Sequence, residues 1–311
     1  MIAYFKIIRP VNTAMTGIAV ALGIWLTDGG VFLPLMLAAM AAAAYGNVIN
    51  DIIDVKSDRV SHPNRPLANG TMSPRAAKAF AAALAAVSLA CGAMVSAFYL
   101  CATLAPLALL TLYSIYFKRT RLIGNIAVSA LTGYALIFGA LRNVDAEILI
   151  LPAILAFLLS FCREIAKDVQ DAEGDRAAGW TTSAGLRPGT IRLLLAAASA
   201  AYLLIVFMPS RYFFFELRLE LFGSIDIIKS LAGTAPALHR ALFNLFAGGF
   251  RMTYLLVCLA AVVPIHIYWT ALALRRGGIA QNAGRIGLLL KIEMAAGLAA
   301  LALDKAIYYF I

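Results

Sequence analysis

Three aspartates, Asp51, Asp54 and Asp58, in the string NVINDIIDVKSD recur as Asp168, Asp171 and Asp175 in EIAKDVQDAEGD. Position 168 stands against 51, 171 against 54 and 175 against 58, each 117 apart, and the polar residue four places upstream keeps the same offset, Asn47 in one copy and Glu164 in the other. On an α-helix, offsets of 0, 4, 7 and 11 share one face, so each copy can present oxygen ligands to one point. Carboxylates near a helix C-terminus oppose the macrodipole and repel one another, so the arrangement calls for a countercharge. Magnesium fits, because it is hard, prefers oxygen and binds one or two carboxylates together with substrate phosphates. One such motif could simply end a helix in water; two matched motifs point to a magnesium and phosphate site.

Basic residues surround the same positions. Arg65 lies in HPNRPLANG, Lys118 and Arg119 follow an apolar run, and Arg163 and Lys167 interleave with the second acidic set. Each alone reads as a topology signal; together they make the mixed acid and base lining that a magnesium diphosphate requires. His62, His239 and His266 form no ligand set by spacing, and His62 reads as a solvated loop residue. The cysteines Cys91, Cys101, Cys162 and Cys258 lie unpaired in apolar sequence and read as small core residues.

The elements that must hold these residues are apolar. Of 311 residues, 62% are hydrophobic and only 14% charged, with a mean hydropathy of +0.86. Runs such as Ala76–Leu100 and Met252–Leu274 approach the length of a bilayer span, which predicts a polytopic, all-α membrane protein rather than a strand-built barrel. Nine apolar segments can be drawn: Val11–Leu26, Val31–Asn50, Ala76–Ala97, Leu100–Phe117, Ile123–Leu141, Glu147–Ile165, Ile191–Met208, Met252–Leu274 and Ile286–Phe310. The net charge of +10 sits in short loops on alternate connections, which argues for positive-inside topology and against nucleic acid. Lys6 and Arg9 precede the first segment with no small-residue cleavage site, the pattern of an uncleaved first helix. Both acidic motifs then fall at the cytoplasmic ends of the second and sixth segments, in a cell (inner) membrane. The stretch 209–251 breaks the charge pattern and mixes aromatic, aliphatic and charged residues, as an inserted interfacial segment would. The whole of 1–311 otherwise reads as a single domain.

On these motifs the chain resembles the UbiA superfamily of intramembrane prenyltransferases. Asn50, Asp51, Asp54 and Asp58 match the family's N-D-x-x-D-x-x-x-D, and Asp171 and Asp175, preceded by Asp168, match its second D-x-x-x-D. NRPLANGTMS and EGDRAAGWTT resemble the sequence flanking the two motifs, and Arg9, Pro10 and Asn12 resemble an N-terminal R-P-x-N. The family's Y-x-x-x-K departs here, with Tyr113 five places before Lys118. The resemblance implies nine transmembrane helices around a central cavity, with the acidic motifs over its cytoplasmic mouth. It implies that Asn50, Asp54, Asp58, Asp171 and Asp175 hold magnesium on an isoprenoid diphosphate, with Asp51 and Asp168 in direct or supporting contact. Asp54, Asp171 and Lys118 would be catalytic, and Arg65, Lys118, Arg119, Lys167, Tyr113 and Asn12 would bind the diphosphate. The implied partners are membrane lipids, a prenyl diphosphate donor and a lipophilic acceptor. REIAKDVQDAEGD is most similar to members that alkylate a glycerol-phosphate ether lipid with geranylgeranyl diphosphate; aromatic quinone precursors and tetrapyrroles are the alternative acceptors. A cation transporter using intramembrane carboxylates is the reading from another class, but these acids lie near one membrane face rather than at the midplane.

Overall fold

The computed structural model describes residues 2–30, 32–143, 145–210 and 250–310. Among them the regular structure is helical, apart from an isolated parallel bridge between Ser210 and Phe250. The helices are α1 (Ile2–Ile7), α2 (Pro10–Leu26), α3 (Leu33–Ser61), α4 (Pro74–Val95), α5 (Ala97–Ile115), α6 (Ile123–Phe138), α7 (Ile150–Ala177), α8 (Pro188–Ile205), α9 (Met252–Val257), α10 (Val263–Leu274) and α11 (Gly278–Phe310). Seven spans are long and apolar enough to cross a membrane: α3, α4, α5, α7 with the turn before it, α8, the run from α9 to α10, and α11. The protein is thus an integral, multi-pass membrane protein. α2 and α6 are shorter apolar helices. The expected interfacial segment at 209–251 falls, but for its ends, outside the described residues. Those ends meet, with the Phe250 N–H donating to the Pro209 carbonyl at 2.7 Å.

Local chemistry sets the helix ends. Proline opens α2 and α8, where its missing N–H costs no hydrogen bond. Ser73 caps α4 by accepting from the Ala76 N–H, and Ser96, fully extended, both ends α4 and caps α5. The run predicted over Met252–Leu274 is interrupted by a wide π turn, Cys258–Val262, just before Pro264, whose ring cannot follow an ordinary helical turn. The acidic motifs extend two helices well past the apolar segments predicted from hydropathy: α3 runs to Ser61 rather than Asn50, and α7 to Ala177 rather than Ile165. The two motifs therefore lie on rigid helix rather than in loops.

Consecutive helices from α2 to α8 pack as neighbours, and α11 lies against α7, α10 and α2. Large apolar side chains such as Met94, Leu193 and Leu204 point outward, as lipid-facing positions do. Inside, lipid offers no hydrophobic drive for association, so close packing and interhelical hydrogen bonds hold the bundle. A Cβ at Gly133 would lie 2.6 Å from the Ala153 carbonyl oxygen, which shows how closely α6 and α7 cross. Ser88 donates to the Ala38 carbonyl at 2.7 Å, and Tyr99 to that of Gly139 at 3.0 Å. Cys162 and Cys258 are core residues as expected, whereas Cys101 is exposed on α5.

Candidate active site

The last turns of α3 and α7 run side by side. At their contact, a Cβ on Gly174 would sit 2.5 Å from the Ser57 carbonyl oxygen, so only glycine permits this approach. Across the seam Ser57 donates to Asp175 Oδ1 at 2.9 Å, and Ser61 Oγ accepts from the Gly174 N–H at 3.2 Å. This crossing brings the two acidic motifs together.

All six aspartates are buried, and each has a donor. In the first motif the donors are cations. Arg9 binds Asp51 at 2.5 Å, Lys118 Nζ binds Asp54 Oδ2, and Arg65 binds Asp58 at 2.5 Å while lying 3.6 Å from Asp51. In the second motif His62 Nε2 meets Asp171 Oδ1 at 2.7 Å, so His62 joins the site instead of pointing into solvent. Asp168 Oδ2 accepts from Asn125 Nδ2 (3.0 Å), the Ser183 N–H (3.2 Å) and Ser183 Oγ (2.6 Å). Much of the countercharge demanded by the clustered acids thus comes from the chain itself.

Several of these donors are held by unusual local geometry. Arg9, at the start of α2 and directly before proline, has φ of 51°. Left-handed backbone is costly for a non-glycine residue, and such strain persists where surrounding bonds over-determine it, here the Asp51 pair. α5 stops at Ile115, and a 3₁₀ turn, Phe117–Arg119, swings Lys118 toward Asp54 while Tyr113 stays buried on α5. Lys118 and Arg119 also lie over the Trp180 ring, 5.4 and 5.2 Å from its centroid. Burial alone would push the Lys118 ammonium down, but the Asp54 charge outweighs it and raises the pKa above the ordinary value. Arg65 is likewise pushed down by burial and raised on balance by its bond to Asp58.

Two buried oxygens one helical turn apart on α3, Asn50 Oδ1 and Asp54 Oδ1, have no hydrogen-bond partner. Buried polar atoms are nearly always paired, and two orphaned oxygens on one helical face have the donor chemistry to take a hard cation. Among the described residues no three His, Cys, Asp or Glu side chains converge closely enough to cage a metal by themselves. The donor set suits an ion that takes part of its shell from phosphate. Asn50 also lines a cavity of about 310 Å³ with a largely apolar wall, into which Arg9, Arg163, Glu164, Lys167 and Lys291 bring charge and Asn12, Asn47 and Tyr113 bring polar groups. None of the six aspartates, nor Arg65, Lys118 or Arg119, is among its lining residues; of the residues predicted from sequence, Asn12, Asn50, Tyr113 and Lys167 are. Arg163 was among the basic residues interleaved with the second acidic set, whereas His62, Ser57 and Lys291 were not singled out by spacing. Only the packing of α3, α7 and α11 reveals them, although His62 lies in the loop following the first motif.

Residues 11–225 match the model of the UbiA prenyltransferase family. A digeranylgeranylglyceryl phosphate synthase of Methanothermobacter thermautotrophicus is 31% identical over 94% of this chain and 92% of its own length. Another, of Methanopyrus kandleri, is 38% identical over 58% of this chain and 68% of its own. A solved structure of digeranylgeranylglyceryl phosphate synthase shares the fold with a TM-score of 0.68, at 23% identity over 97% of both chains. A UbiA homolog from Archaeoglobus fulgidus, solved with GPP and Mg2+, does so with a TM-score of 0.56, at 21% identity over 96% of this chain and 99% of that one. By the extent of the family match and the likeness to these relatives, the chain belongs to the UbiA prenyltransferase family.

Proposed function

We propose that this protein transfers a prenyl group from an isoprenoid diphosphate, in first place geranylgeranyl diphosphate, to a glyceryl-phosphate lipid carrying one geranylgeranyl chain. The observation that carries this reading is the orphaned pair Asn50 Oδ1 and Asp54 Oδ1 beside an apolar cavity. It joins a charged head site to a greasy tail site. Along α7 the lining runs from Lys167 to Pro152, about 22 Å of helix, room for several isoprene units end to end. The names of the relatives support the choice of acceptor.

Asn50, Asp54, Asp58, Asp171 and Asp175 would hold magnesium, which when bound neutralises charge developing on the leaving diphosphate. Lys118, Arg65 and Lys167 supply further positive charge to those oxygens, with Tyr113 and Asn12 on the cavity wall. Arg119 contributes through the Trp180 stack. Asp51 fixes Arg9, and Asp168 anchors the turn at Ser183. The donor's bond from carbon to the diphosphate oxygen breaks with both electrons leaving on oxygen, and the allylic cation sits where the cavity wall excludes water. An acceptor hydroxyl then forms the new carbon–oxygen bond and gives its proton to the released diphosphate.

The shorter helices α2 and α6 also cross the bilayer in this reading, giving nine transmembrane helices around a central cavity, with both acidic motifs on the cytoplasmic side and 1–311 as one domain. The basic loops following α3, α5, α7 and α10 support that orientation. The test is diphosphate release from geranylgeranyl diphosphate by purified protein, with and without magnesium, across lipid and aromatic acceptors. Release that needs magnesium and the glyceryl-phosphate lipid is expected. Product formed only with an aromatic ring or a tetrapyrrole overturns the acceptor, and ion flux without release overturns the enzyme.

A further inference from the structure

Below the carboxylates lies a second charged layer that the metal and diphosphate do not account for. Arg163 and Lys291 line the cavity, together with Lys167 and Glu164. Arg163 stands eight residues before Asp171 on α7, about 12 Å deeper along the helix. Glu164 is buried and has both oxygens engaged, Oε1 by Arg163 at 2.8 Å and Oε2 by Lys167 at 3.3 Å. Lys291, on α11, has no ion-pair partner among the described residues, and the charges acting on it are those of Arg163, Arg9, Glu164 and Lys167. Arg9 is already committed to Asp51. That leaves three cations, Arg163, Lys167 and Lys291, around one carboxylate. Ionisable side chains within a membrane span are costly and normally paired, so an excess of positive charge facing a cavity calls for an anionic ligand.

Resting on the reading above, we infer that Arg163 and Lys291, at the seam of α7 and α11, form a subsite for the phosphate monoester of the acceptor lipid, distinct from the diphosphate site between α3 and α7. Depth assigns the occupant. A diphosphate held at the level of Asp54 and Asp171 puts its first prenyl carbon below the carboxylates, toward Arg163. An acceptor phosphate bound at Arg163 and Lys291 brings a neighbouring glycerol hydroxyl to that same depth. Arg163 offers a planar fork suited to phosphate and Lys291 a point charge. Glu164 binds Arg163 through one oxygen and Lys167 through the other, which fixes Lys167 toward the diphosphate and Arg163 toward the acceptor phosphate. The subsite discriminates a phosphorylated acceptor from a neutral one, because without the phosphate the buried positive charge stays uncompensated.

The experiment is steady-state transfer by the purified protein with two acceptors, geranylgeranylglyceryl phosphate and the same lipid without its phosphate. The wild type should prefer the phosphorylated lipid. Lys291→Gln should raise KM for that lipid about tenfold or more, leave KM for the donor unchanged and remove most of the preference, while Lys291→Arg should restore it. Loss of equal size with both acceptors, or a raised donor KM, overturns the subsite. If Lys291→Gln fails to fold, the wild type supplies the readout through acylation of Lys291 by an amine-reactive reagent. The phosphorylated lipid should slow that labelling; equal labelling with the phosphorylated lipid, the neutral lipid and the donor alone overturns the assignment. Wild-type transfer that ignores the phosphate removes the subsite but leaves prenyl transfer standing, whereas no transfer to any acceptor removes the functional reading itself.

Discussion

Asp54 carries two demands at once: one oxygen holds Lys118 and the other has no partner. Asp54→Ala and Asp171→Ala should each lower the transfer rate by about 10²–10³, the size of a lost electrostatic contact to a developing charge, while elution and helix content stay normal. Transfer at full rate by both folded variants would remove these residues from the site. Lys118→Gln tests the other side of the pair. It leaves a buried carboxylate uncompensated, which costs about 3–5 kcal/mol, and thermal unfolding in detergent should register the loss. Magnesium should raise the melting temperature of this variant more than that of the wild type. Because the folded pKa values of Lys118 and Arg65 are raised, the stability from these cations is complete below their ordinary values and disappears only as pH climbs through the raised ones. Activity should therefore show no alkaline limb from either group across the neutral range; a limb shifted by Lys118→Arg would contradict this. The aspartates were legible from their spacing alone, since helical periodicity puts them on one face whatever the tertiary fold. Their partners were not, because Arg9 reaches Asp51 across 42 positions and Lys118 reaches Asp54 across 64.

At the scale of elements, the site depends on how closely α3 and α7 approach. Gly174→Ala puts a methyl against the Ser57 carbonyl, a backbone atom that cannot turn aside, and should cost about 1–3 kcal/mol of overpacking. Activity should fall further than stability does, because a shifted seam separates the two motifs. Ser61→Ala added to Gly174→Ala should not rescue it, since the Ser57 contact remains; rescue measured in a transfer assay would place the constraint at the side chain instead. The bounds of the apolar runs located most helix ends to within a few residues. The extension of α3 and α7 through their acidic turns escaped hydropathy, which registers charge as the end of an apolar segment. The backbone continues helical there because neighbouring helices and cationic side chains satisfy the carboxylates.

For the molecule as a whole, the proposed crossing of α6 can be tested with single cysteines at Arg121 and Asp145, both exposed residues flanking that helix, in a background without the four native cysteines. An impermeant maleimide applied to oriented vesicles should reach the two from opposite sides; labelling of both from one side would mean that α6 does not span. What the sequence determined by itself is what depends on local composition and period: a helical membrane protein, apolar spans of bilayer length, basic loops in alternation and two copies of an acidic helical face. These follow from the cost of unsatisfied backbone in lipid and from 3.6 residues per turn. Tertiary structure alone decided which cation meets which carboxylate, that Asn50 and Asp54 each keep an unpartnered oxygen, and that Lys291 and Arg163 line one cavity. Those facts depend on helices distant in the chain sharing one space, and a pairing between such helices leaves no periodic trace in either.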